Sequence, residues 1–164
     1  MTEAVHDDYQ VSSEGAVRHW AIPYARLTDV TPTVSNPAAV TSLLPGTQLT
    51  GTILSVDASA SMAVIDFTCS MVYKQTVRNV LTYAAAIEDT WGAINIGDPI
   101  YYDRSATMPV GTYLSTAPAD NAAGANPLFG FVVPWSDDDA GNYPKGGATG
   151  STQECAVMQR GAGA

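Results

Sequence analysis

His6 and His19 are the only two imidazoles in the chain, and acid–base or metal chemistry near neutral pH would begin with them. A general base works from a rigid scaffold beside an orienting partner. His6 instead lies in an acidic stretch, and His19 in a segment punctuated by Pro23, Pro32, Pro37 and Pro45. Both read as ordinary surface or interface histidines. Asp66 falls on the outward parity of a strand and Asp98 falls in a turn, so nothing in the spacing couples them as an acid/base pair. Asp137, Asp138 and Asp139, followed by Gly141 and Asn142, carry the hard oxygens that Ca²⁺ takes, but they lack the terminal Glu of an EF-hand. A solvated acidic loop is the favoured reading there.

The remaining reactive types are equally dispersed. Cys69 and Cys155 lack the Cys-x-x-Cys spacing of a zinc or redox site and are expected as small buried thiols, with a disulfide between them unsupported. The chain contains no Gly-x-Ser-x-Gly elbow, P-loop, His-Glu-x-x-His or dinucleotide fingerprint. No catalytic, cofactor-binding or metal-ligating residue is assigned, and no cofactor is expected. Tyr101, Tyr102, Tyr113, Phe129, Phe131 and Trp135 offer ring faces that a sugar or base could stack on; a share in core and interface is the favoured reading.

Composition narrows the partners. In 164 residues, seven Lys+Arg stand against sixteen Asp+Glu, a net charge of -9. The cations Arg18, Arg26, Lys74, Arg78, Arg104, Lys145 and Arg160 are scattered, and no basic stripe exists to neutralise a run of phosphates. Nucleic acid is therefore not expected as a partner. No window reaches the roughly 18 uninterrupted apolar residues of a membrane span, and residues 1–15 hold acidic groups where a signal peptide needs basic and then apolar ones. A protein made in a cytoplasm, with no membrane partner, is expected. Apolar residues at 46% suffice for a core and exclude a wholly disordered chain.

The elements that must position these residues are mostly strands. Ten Pro and fourteen Gly are spread through the chain and cut it into short extended pieces. Residues 1–15 read as an acidic tail. In residues 16–46, Trp20, Ile22, Tyr24 and Leu27 lie among four prolines, which suits an extended arm or edge strand laid on another surface. TQLTGTILSVD predicts a strand and DASAS a turn. In SMAVIDFTCSMVYK, the residues Ala63, Ile65, Phe67, Cys69, Met71 and Tyr73 share one parity and Asp66, Thr68, Ser70 and Lys74 the other, which predicts one strand with a single buried face. Val80, Leu81, Ala84, Ile87 and Trp91 fall at helical spacing between a capping Asn79 and Gly92, predicting one short helix. Gly97 and Asp98 predict a turn into an aromatic strand at Ile100, Tyr101 and Tyr102. VGTYLSTA, PLFGFVVPW and QECAVMQR supply further strands, SDDDAGNYPKGGATGST a polar loop, and GAGA a flexible end.

The order of GDPIYYD at 97–103, the Thr/Ser/Ala-rich VGTYLSTAPADNAAGAN, PLFGFVVP and a closing ECAVMQR resembles the decoration (cement or head-stabilising) proteins of tailed-phage capsids, over residues 62–160. In that family a Gly-Asp-x-aliphatic-Tyr-aromatic-Asp segment enters a strand, a Gly-containing strand equivalent to 128–133 follows, and a last strand closes a small barrel described as a β-tulip. Residues before position 46 and the acidic insert before the last strand depart from the family pattern.

What the resemblance implies is a mainly β fold: a small β-barrel or β-tulip with one short helix and an extended N-terminal arm. The expected division is a tail and arm over 1–45 and a barrel decoration domain over 46–164. The implied function is that of a non-enzymatic virion protein on the outer capsid surface. Its partner would be the major capsid protein, whose neighbouring subunits it bridges, and it would act as a homotrimer. The alternative is a β-type carbohydrate- or receptor-binding module of a phage tail or cell surface. Trp20, Ile22, Tyr24 and Leu27 are the expected contacts of the arm with a capsid or a neighbouring subunit, with folding back as a strand of their own barrel as the alternative.

Overall fold

A computed structural model describes residues 9–12, 15–28, 31–41, 49–80, 94, 96–103, 108–120, 124–134 and 152–161. The protein is mainly β, with antiparallel pairing dominant and a three-residue 3-10 turn at Tyr24–Arg26. The chain divides into two units, Met1–Met71 with Gln159–Ala164, and Val72–Met158. The boundary between these units falls at Met71/Val72.

The first unit is a five-stranded antiparallel sheet in the order β1-β2-β5-β4-β3, built from β1 (Tyr9–Ser12), β2 (Gly15–Pro23), β3 (Pro37–Val40), β4 (Leu49–Asp57) and β5 (Met62–Asp66). The expected arm is thus part of this sheet: β2 is an interior strand, paired with β5 from His19↔Asp66 to Pro23↔Met62. Its prolines mark strand limits instead of forbidding pairing. Pro23 closes β2 and Pro37 opens β3, positions where the missing N–H costs little. The outer edge of β3 is itself covered: Leu27 bridges Val40, Thr28 N–H donates to Ala39 O at 3.0 Å, and Thr41 N–H donates to Arg26 O at 2.7 Å. Residues 9–12, expected in the acidic tail, form the opposite edge strand.

Leu27, Ala38, Ile53, Ala63, Ile65 and Phe67 are the buried core of the unit, and Trp20, Ile22, Tyr24 and Val40 pack against it. Trp20 and Phe67 meet with ring centroids 5.2 Å apart at 47°. The apolar anchors that seemed to need a foreign surface have one in their own sheet.

The single strand expected over 61–74 is two strands. β5 ends at Asp66, Ser70 enters the left-handed region at φ 67, and β6 begins at Val72 (Val72–Arg78). Alternation carries on through the break, so parity alone hides it. The same break leaves Cys69 exposed, against expectation, while Cys155 is buried as expected.

The second unit is a closed barrel in the order β11-β12-β6-β8-β7, formed by β6, β7 (Pro99–Tyr102), β8 (Leu114–Ser115), β11 (Leu128–Val133) and β12 (Thr152–Gln159, up to Met158 in this unit). β9 (Ala119–Asp120) and β10 (Gly124–Ala125) pair as a small hairpin. β12 runs antiparallel to β6 from Thr152↔Arg78 to Met158↔Val72, and β8 lies parallel to β6 on its other side. Gly97 takes φ 90 at the turn into β7, as its sequence context requires. Ile100, Leu114, Val77, Phe129, Val132 and Val157 are fully buried. Apart from Asn79 and Val80, the helix expected over 79–92 lies outside the described residues.

Candidate functional site

Two arrangements gather the residues that the sequence singled out. The first is a row of polar side chains on the back of the first unit's sheet. Cross-strand register sets His19 of β2 beside Asp66 of β5, and Asp66 beside Thr52 of β4, so the three share one face. His19 Nε2 lies 3.7 Å from Asp66 Oδ1, and Thr68 N–H donates to the same carboxylate oxygen at 2.8 Å. Asp66 is only 1% exposed. The outward position read from alternation is therefore a correction: parity tells which residues share a face, not whether that face meets water. Gln159 covers this face, accepting from the Thr52 hydroxyl at 3.0 Å. His19 Nε2 thus stands beside the buried carboxylate at an ion-pair distance, longer than a hydrogen bond. Asp98 belongs to the other unit, so the two carboxylates are placed in separate units.

Asp103 in the barrel is buried and accepts from the Ser115 hydroxyl at 2.6 Å, and Ser115 Oγ in turn accepts from Ala117 N–H at 3.1 Å. This chain of hydrogen bonds pins the end of β7 to β8, and it passed unnoticed in the sequence because the two residues are not linked by any motif. Asp103 is the last residue of GDPIYYD, so its segment was already marked.

The second arrangement is an apolar stripe on the outside of β7 and β11. Along β7, Pro99 and Tyr101 face outward between buried Ile100 and Tyr102. A bulge between Leu128 and Gly130 places two successive residues, Phe129 and Gly130, inward. Parity then resumes with Phe131 outward, paired with Pro99, while Leu128 pairs with Tyr101. Phe131 is 37% exposed, and Ile96, next to the Gly97 turn whose N–H reaches Val132 O at 2.8 Å, is 43% exposed. Pro99, Tyr101, Leu128 and Phe131 thus form an uncharged outward stripe in a protein of net charge -9. The six aromatics of the sequence reading disperse accordingly. Tyr102 and Phe129 are buried, Tyr113 stacks on Tyr102 with centroids 6.3 Å apart, Tyr101 and Phe131 join the stripe, and Trp135 lies outside the described residues.

Of the expected interface residues, Leu27 is buried and Trp20, Ile22 and Tyr24 are packed on the core of their own sheet. The acidic run at 137–139 and His6 lie outside the described residues. Among the described residues no three His, Cys, Asp or Glu side chains converge as a metal site, and no helix is long and apolar enough to cross a membrane. Compared with family models, curated proteins and solved structures, the chain matches none of them.

Proposed function

We propose that the protein is a structural component of a phage virion, which binds the outer surface of an assembled icosahedral capsid and stabilises it by bridging neighbouring capsid subunits. The observation that carries this reading is the outward stripe of Pro99, Tyr101, Leu128 and Phe131 on β7 and β11. Apolar side chains aligned across two strands of a small barrel suit adhesion by burial, because the apolar area they still expose gains about 25 cal/mol for each Å² covered. The stripe lies within the segments that carry the resemblance to decoration proteins, 97–103 and 127–134. It replaces Trp20, Ile22, Tyr24 and Leu27 as the contact surface in this reading, since those four are engaged with their own core.

A homotrimer is the bound form in this proposal. Capsid lattices present threefold and quasi-threefold positions, and three linked copies multiply a modest contact through effective concentration. Catalysis has no part in it.

Co-sedimentation of the purified chain with assembled capsids tests the reading, alongside a gel of purified particles. Stoichiometric retention on heads is the expected result. Absence from particles overturns it, and glycan binding that depends on Tyr101 and Phe131 replaces it with a carbohydrate-binding module.

A further inference from the structure

Thr52 and Gln159 are 107 positions apart in sequence and meet inside the first unit, to which both belong. Thr52 Oγ1 donates to Gln159 Oε1 at 3.0 Å, and both residues, like Asp66, are 1% exposed. A carbonyl carbon lies about 1.2 Å from its oxygen, so the hydroxyl oxygen stands roughly 3–4 Å from Gln159 Cδ, close to the separation from which a nucleophile attacks. The amide is held in place: Nε2 donates to Asp66 O at 3.1 Å and to Thr68 O at 2.8 Å. Its backbone is clamped as well, since Gln159 N–H donates to Met71 O at 2.8 Å and Ser70 N–H donates to Gln159 O at 3.0 Å. Two residues on, Gly161 sits at φ 62 so close to the 67–69 backbone that a Cβ there would collide with Phe67 O and come within 2.8 Å of Thr68 C. The expected flexible end is, at Gly161, fitted backbone.

We propose that Thr52 and Gln159 form an intramolecular ester, a covalent cross-link made once by each folded chain. Thr52 Oγ1 attacks Gln159 Cδ: the O–C bond forms, the Cδ–Nε2 bond breaks, and the hydroxyl proton leaves on the nitrogen as ammonia. Alcohol and amide thus become ester and NH3, with no oxidant, reductant or co-reactant. The register that pairs Thr52 with Asp66, and Asp66 with His19, puts a carboxylate beside the attacking hydroxyl. That carboxylate takes the proton from the oxygen and returns it to the nitrogen. As the departing nitrogen gains positive charge, the carbonyls of Asp66 and Thr68 are already in place to accept from it. Burial of Thr52 and Gln159 keeps water, the competing nucleophile, away from the ester once formed. The reaction is internal and consumes its own side chains, so it stands independently of the capsid reading.

Mass spectrometry of the intact full chain tests it. The expected mass is about 17 Da below that of the sequence, the ammonia lost, and after proteolysis the peptide containing Thr52 should be found joined to the peptide containing Gln159. Thr52→Val, which keeps the shape and removes the hydroxyl, should show the full mass of its own sequence, and Thr52→Ser should show the loss again. In Asp66→Asn, the joined fraction at a fixed time after cell-free synthesis should be at least about tenfold lower than in the parent; a parent-like fraction overturns the role given to that carboxylate. A parent chain at full sequence mass overturns the ester. So does a loss of that mass that persists in Thr52→Val, or that leaves the two peptides unjoined, as cyclisation at an asparagine would. Where Asp66→Asn does not fold, the masses of the parent and of Thr52→Val alone decide.

Discussion

Phe131 and Pro99 face each other across β11 and β7 on the outside of the barrel, directly beside a bulge that turns Phe129 and Gly130 inward. Were the bulge absent, strict alternation from Leu128 would put Phe131 inside and Gly130 on the surface. One extra residue therefore decides that a large ring is presented rather than buried.

Replacing that ring by a charge separates adhesion from folding. Phe131→Glu is expected to lower unfolding free energy by about 1–2 kcal/mol, because the ring is 37% exposed and the rest of it is packed, and to leave the chain folded. Capsid retention should fall at least tenfold, since a carboxylate would be desolvated in the contact. Urea unfolding and co-sedimentation read the two effects. Equal retention by variant and parent would move the contact surface elsewhere.

A chain starting at Thr47 is expected to lose the first unit's structure. It lacks β1, β2 and β3, leaving Ile65 and Phe67 without the cover of Trp20, Ile22 and Leu27. Circular dichroism should show lost strand signal, with a hydrophobic dye binding to what remains. In the intact chain, Trp20→Ala should cost about 3–5 kcal/mol or somewhat less, given its partial exposure. A fully folded shortened chain would return residues 16–45 to the role of a separable arm.

The two thiols should behave oppositely. Burial pushes Cys155 up to about 11 from its ordinary 9.0, so it stays protonated and unreactive near neutrality, while exposed Cys69 alkylates in the native protein. Above pH 9 the unfolded chain releases the Cys155 proton and the folded one retains it, so this group lowers stability as pH rises from about 9 to about 11, by on the order of 2 kcal/mol. Cys155→Ala should remove that alkaline loss, as judged by melting temperature against pH, although it also leaves a small cavity.

Strong acid should loosen the 57–61 turn. The Ser59 hydroxyl, then the Ala60 and Ser59 N–H groups, hold the Asp57 carboxyl below its ordinary 3.8. That contribution is present above the unfolded value and is lost as pH falls through the folded one. Asp57→Ala should flatten the acid limb of the stability profile and speed amide exchange at Ser59 and Ala60; an unchanged profile would mean that the turn is held by its strands alone.

Much of the fold was legible where side chains follow a simple period. The strand in TQLTGTILSVD, the Gly97–Asp98 turn, the aromatic β7 and the closing β12 were all visible, because local patterning and turn chemistry agree there. The break at 67–71 was not, since Phe67, Cys69, Met71 and Tyr73 keep one parity across it and the turning residue is Ser70, which carries no glycine signal. Asp66 reads as solvated from parity, yet its carboxylate is buried against Thr68 N–H and His19, and its carbonyl accepts from Gln159, ninety-three positions away. Trp20 looked unpartnered for the same reason: Phe67 lies in a strand that pattern alone does not place beside it. The stripe at Phe131 depended on a bulge, and a bulge is invisible to period-two counting.

The β6–β12 ladder joins residues more than seventy positions apart, from Arg78↔Thr152 to Val72↔Met158. Closing so long an intervening loop costs entropy before any of its pairings is formed. The β4–β5 hairpin, by contrast, joins neighbours such as Asp57 and Met62. High contact order of this kind places barrel closure among the slow steps of two-state folding, in the range of milliseconds to seconds. In stopped-flow refolding, signal from β4 and β5 should therefore precede burial of Cys155. Until closure, the edges of β6 and β12 are open to pairing with other chains.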